Sequence, residues 1–197
     1  DGIAAAGHAY FLPFADSFES HPAGQNPPAP FIVIEENPPS ATHWVHVVAQ
    51  SPSSQAADGT QYLTIVKESG TGNVPFVELP LVAYQPIRLQ FAVRVQPNSR
   101  FNVYLLDVAN ATAYNTFEVT YDPQNQTLTS NSGVQLLPAG VFPEATWVYF
   151  TVTQRYDVGR GLVHDVLVEA PGVTPATTRG LISGLQLPFC GTYSVIF

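Results

Sequence analysis

Leu89-Gln-Phe-Ala-Val-Arg-Val-Gln-Pro-Asn-Ser-Arg-Phe-Asn-Val-Tyr-Leu-Leu-Asp107 decides the fold class. Leu89, Phe91, Val93 and Val95 alternate with Gln90, Ala92, Arg94 and Gln96. A period of two places one set on each face of an extended strand. Pro97-Asn98-Ser99 then turns the chain, since proline withholds a ladder donor and asparagine tolerates left-handed backbone. Phe101, Val103 and Leu105 resume the alternation beyond the turn. The stretch reads as strand, tight turn, strand.

The same pattern recurs on both sides. Phe117, Val119 and Tyr121 alternate with Glu118, Thr120 and Asp122 before the turn Asp122-Pro-Gln-Asn125. In Trp147 to Gln154, Val148, Phe150 and Val152 share one face and Trp147, Tyr149 and Thr151 the other. Leu162 to Glu169, Tyr193 to Phe197, Phe31 to Glu35, Trp44 to Ala49 and Gln61 to Lys67 read as strands as well. No stretch holds apolar residues at helical spacing for three turns, and the best candidate, Ile3 to Tyr10, is interrupted by Gly7. Short strands every ~8–15 residues with turns between them predict an all-β, antiparallel two-sheet β-sandwich of about ten to twelve strands. No Gly/Ser linker divides the 197 residues, so one domain is expected, with residues 1–13 as a possible extended N-terminal arm. Phe91, Val93, Val103, Phe117, Val119, Phe150 and Val195 are the expected inter-sheet core.

Composition excludes several classes. Fifteen Asp and Glu against seven Lys and Arg give a net charge of -8, which argues against a nucleic-acid partner. The apolar runs are far shorter than the ~20 residues a membrane helix needs. Eighteen prolines speak against an outer-membrane barrel. The single cysteine, Cys190, precludes a disulfide framework. Charged residues make up only 11% of the chain, and its surface chemistry is rich in Ser, Thr, Asn and Gln. This leans towards an extracellular setting. The opening Asp1-Gly-Ile3 has no basic leader and reads as a mature or trimmed product.

The order of motifs Phe14-Ala-Asp-Ser-Phe-Glu19, Pro22-Ala-Gly24, Trp44 and Asp58-Gly-Thr-Gln-Tyr-Leu-Thr-Ile65 resembles concanavalin A-like (laminin-G-like) jelly-roll domains of secreted bacterial proteins. Phe117 to Asp122, Trp147 with its strand, and the closing Gly191-Thr-Tyr-Ser-Val-Ile-Phe197 follow in the same order, so the resemblance spans roughly Phe14 to Phe197. It implies a jelly roll and a structural Ca²⁺ at Asp16 and Glu19. The E-x-D cluster of the related glucanases is absent here.

Catalytic readings find little support in the spacing. Asp165 and Glu169, like Glu118 and Asp122, are four residues apart, or roughly 13 Å along a strand, too far for a retaining carboxylate pair. His43 and His46 are three apart and fall on opposite faces, so they do not chelate one metal. Sugar recognition needs a ring for the C–H face and polar groups for hydroxyls. Trp147 and Tyr149 supply the rings, and Tyr104, Asn102, Arg94 and His164 could join them on one face. Trp147 reads rather more readily as cover for the core edge, and Tyr149 equally as either. The expectation is a non-catalytic, extracellular carbohydrate-binding or accessory module for a neutral or basic glycan. A filament, fibre or capsid subunit that pairs its arm or last strand with copies of itself is the alternative, and a lyase or glycosidase comes after it.

Overall fold

The computed structural model describes residues 10–11, 15–35, 43–67, 74–84, 87–107, 114–130, 133–159, 161–173, 176–181 and 190–197. These form fourteen strands and no helix, in antiparallel sheets, with eleven strands longer than three residues. The expected N-terminal arm falls almost wholly outside the described residues. The chain gathers into two compact units, Asp1–Leu81 with Ile196–Phe197, and Val82–Val195.

The first unit contains β1 (Tyr10–Phe11), β2 (Ile32–Ile34), β3 (His43–Ala49), β4 (Gln61–Lys67) and the start of β5 (Phe76–Tyr84). β2 lies antiparallel to β5, with Ile32 opposite Glu78 and Ile34 opposite Phe76. β3 and β4 pair from His43–Lys67 to Ala49–Gln61 without a break. Val45 and Val47 point inward and are fully buried, whereas Trp44 and His46 share the other face and stack at 4.8 Å. The predicted separation of His43 from His46 is therefore seen.

Loop groups close the second edge of β3, which would otherwise expose donors to any passing strand. Val47 N donates to Gln25 O at 2.8 Å and Gly24 N to Val47 O at 2.7 Å. A Glu35 carboxylate oxygen accepts from Val45 N at 3.0 Å.

The second unit is a sandwich. One sheet runs β14–β7–β8–β9–β10, and the facing one β13–β12–β11–β6. Their ranges are β6 (Arg88–Arg94), β7 (Phe101–Asp107), β8 (Tyr114–Asp122), β9 (Thr127–Ser130), β10 (Gln135–Leu137), β11 (Trp147–Asp157), β12 (Gly161–Glu169), β13 (Ala176–Leu181) and β14 (Cys190–Ile196). The inner faces follow the predicted alternation: Val103, Phe117, Val119 and Phe150 are buried. Phe91 and Val93 point the same way but are half-buried, because β6 is an edge strand. The side chain of Val195 lies outside the described residues.

Aromatic contacts seal the layer. Phe101 from β7 meets Phe150 from β11 at 6.1 Å, edge to face. Both predicted turns form: Ser99 N closes on Gln96 O at 3.0 Å, with Asn98 at a φ of 62°. Asp122 organises the other turn, accepting from Gln124 N at 3.0 Å and Asn125 Nδ2 at 2.6 Å. These donors, the Asn125 amide foremost, hold the Asp122 carboxyl below its ordinary range.

Candidate functional site

Strand register decides which residues share the outer face of the four-stranded sheet. β11 and β6 pair as Trp147–Arg94, Tyr149–Ala92, Thr151–Gln90 and Thr153–Arg88. On the other side, β11 pairs with β12 as Tyr149–Glu169, Thr151–Leu167 and Thr153–Asp165. Directly opposed residues have Cβ atoms ~4.5–5.5 Å apart and point the same way. Trp147, Tyr149 and Arg94 therefore stand together, as expected.

Tyr149 is 43% exposed at the centre of this face. Around it lies a shallow groove of about 570 Å³, lined by Gln90, Tyr149, Thr151 and Glu169 together with the backs of Phe91 and Phe150. Gln90 Nε2 donates to Thr151 Oγ1 at 3.2 Å, fixing the amide beside the ring. Arg94 Nε donates to the Ala145 carbonyl at 3.0 Å, which holds its guanidinium towards the Trp147 end. The groove thus offers one exposed ring, an amide, a hydroxyl and a carboxylate on a rigid sheet.

Further along, Arg155 is clamped between Asp165 at 2.8 Å and Asp157 at 3.3 Å. The Asp165 hydrogen bond is the main cause of a raised Arg155 pKa. By register these two acids lie four residues apart along the strand direction, with the arginine between them. Neutralised and separated, they form a structural ion pair network, not a hydrolytic dyad.

Three sequence-predicted site residues lie elsewhere. Tyr104 and Asn102 sit on the outer face of the opposite sheet, where their backbones pair with Glu118 and Thr120. Burial, then Glu118, raises the Tyr104 pKa. His164 points into the core and is fully buried. The expectation of one common face is corrected for these residues: β7 and β11 belong to different sheets, and position 164 has core parity on β12. Gln90 and Glu169 line the groove but were not predicted for it, since only the pairing register brings them beside Tyr149.

Asp16 and Glu19 lie in a turn of the first unit. One Asp16 oxygen accepts from Phe18 N at 2.6 Å, and the other meets His21 Nε2 at 2.8 Å. Glu19 reaches across the sequence to the Asp58–Gln61 loop. Its Oε1 accepts from Thr60 N and Gln61 N, each at 2.7 Å, and its Oε2 from Thr60 Oγ1 at 2.7 Å. These bonds, the Thr60 hydroxyl first, lower the Glu19 pKa. A Ca²⁺ ion needs six to eight oxygens with lone pairs turned towards it, whereas every carboxylate oxygen here already faces an N–H, O–H or imidazole. Among the described residues, no cluster of three or more His, Cys, Asp or Glu could hold a metal.

No protein-family model, curated protein or solved structure matches the chain.

Proposed function

We propose that the outer face of the β6–β11–β12–β13 sheet binds a carbohydrate chain, making this an extracellular, non-catalytic recognition module of concanavalin A-like kind. One observation carries the reading: Tyr149 stands exposed on a strand inside a shallow groove that it shares with exposed Gln90 and Glu169 and half-buried Thr151. A phenol ring offers an apolar platform to the C–H face of a pyranose, while amide, hydroxyl and carboxylate take its hydroxyls. An open groove suits a chain that lies along the sheet. Glu169 beside the ring, together with the net charge of -8, favours a neutral or basic glycan over a polyanion. Affinity in the range of about 10–1000 µM is expected, or roughly 4–7 kcal/mol.

Calorimetric titration with neutral, amino and uronate oligosaccharides tests this. Tyr149→Ala should abolish binding, and Trp147→Ala should weaken it. Binding that survives both substitutions moves the site elsewhere. Tight, salt-sensitive binding to a uronate polymer reverses the charge argument. Failure of every glycan, with self-association of the pure chain, replaces the reading by the subunit alternative.

A further inference from the structure

His164 occupies a core position with no polar partner. It is 0% exposed, and neither ring nitrogen has a hydrogen bond. Its direct neighbour across the ladder is Gln154, which is buried as well. The Gln154 side-chain oxygen accepts from Ile87 N at 3.2 Å and its backbone N donates to Ile87 O at 2.9 Å. This tie anchors the strand but leaves the amide Nε2 without a partner. From the facing sheet, the Phe117 ring approaches the imidazole edge-on at 5.3 Å.

The groups around the imidazole are almost all uncharged. β8 presents the Phe117 ring, and β11 presents the Gln154 amide directly across the ladder. β13 places Gly180 and Thr178 at the adjoining register positions. Asp165, the next residue along, lies on the opposite face and is held by Arg155 at 2.8 Å. Among the described residues no buried carboxylate is available to meet an imidazolium.

A cation formed here would lose its hydration and gain no counter-charge, which is among the most unfavourable arrangements a core can hold. The neutral ring is the form this site tolerates. We propose that His164 is an acid-operated release element: below neutral pH, protonation of its ring in the opened chain draws the β8–β11–β12 sandwich apart. The inference is independent of what the outer face binds, although β11 carries that face too.

Burial, opposed by the charge of Asp165, pushes the His164 pKa from 6.5 down to about 4. A group whose folded pKa is depressed in this way binds its proton preferentially in the unfolded state, so stability falls as pH drops through 6.5 towards 4. From pH 7 to pH 5, linkage raises the unfolding equilibrium constant roughly 20-fold through this group alone.

Denaturant unfolding of the full chain at pH 7, 6 and 5, beside His164→Leu, tests the proposal. The wild-type constant should rise about 20-fold more than that of the variant over this interval. Parallel pH profiles would overturn the idea. Should His164→Leu not fold, the wild-type ring is read by NMR. A neutral imidazole at pH 5 in the folded protein supports the proposal, and an imidazolium at pH 6 with the fold intact overturns it.

Discussion

Phe91 and Phe150 lie ring on ring, their centroids 4.9 Å apart and their planes within 9°. They are direct register partners on β6 and β11, so the stack follows from two inward positions in one ladder. Phe150 is buried, while Phe91 is partly open at the sheet edge. Phe150→Ala should therefore cost about 3–5 kcal/mol in denaturant melts, and Phe91→Ala clearly less. A double-mutant cycle should return a coupling of about 0.5–1.5 kcal/mol for the rings themselves. A loss below ~1 kcal/mol for Phe150→Ala would mean the inward face is misassigned.

Glu19 joins two loops forty-one residues apart through its bonds to Thr60. Its carboxyl is held below the ordinary range, so this contribution exists above the unfolded pKa and disappears as pH falls through the folded one. Glu19→Gln should lower the melting temperature at neutral pH, and the difference from wild type should vanish in acid. A gap that persists unchanged at pH 3 would show that charge plays no part.

Gly59 sits beneath that carboxylate at a φ of 67°. A Cβ there would run into the Glu19 side chain and would also strain left-handed backbone. Gly59→Ala should destabilise the protein and speed proteolytic cleavage of the Asp58–Gln61 loop. In the Glu19→Ala background the steric part of the penalty should disappear, leaving only the backbone strain. An equal penalty in both backgrounds would show that the steric contact is unimportant.

Excess chelator should leave the melting temperature unchanged, because protein donors already satisfy the Asp16 and Glu19 oxygens. A bound ion would stabilise the fold by mass action. A drop of several degrees on chelation, restored by Ca²⁺, would mean that this loop rearranges around a metal.

The Tyr121 hydroxyl donates to Glu144 Oε1 at 3.0 Å. Burial first, and then this bond and the Glu144 charge, pushes the phenol up to about 12. The unfolded phenol ionises near 10, so stability should fall as pH rises from 10 towards 12. Tyr121→Phe should remove that alkaline loss and cost about 1–2 kcal/mol at neutral pH. Ultraviolet titration showing every tyrosine ionising together near 10 in the folded state would contradict it.

Much of the strand layout was legible because alternation is a local property. β4 and β7 occupy the predicted residues, and β11 and β12 start where expected or one residue before. Strands lacking that signal escaped. β5 carries Pro80 mid-strand, β13 reads Ala-Thr-Thr-Arg-Gly-Leu, and β9 and β10 are only four and three residues long. Pro80 is tolerated within β5, and the other three take their order largely from neighbouring strands, a non-local effect that periodicity cannot report.

The candidate site divides along the same line. The sequence alone placed Trp147 and Tyr149 on the face opposite Val148 and Phe150, since neighbours on a strand must point to opposite sides. It could not say that Gln90 and Glu169 stand beside them, because cross-strand register is set by turns and packing far from the strand itself. The same ignorance placed His164 with the ligand residues. Its parity on β12 was readable, but which parity faces the core became definite only when Phe117 and Gln154 closed around it. Glu19 likewise showed an acid at a loop, and only the fold, by bringing the Thr60 and Gln61 donors to it, decided that it is a latch.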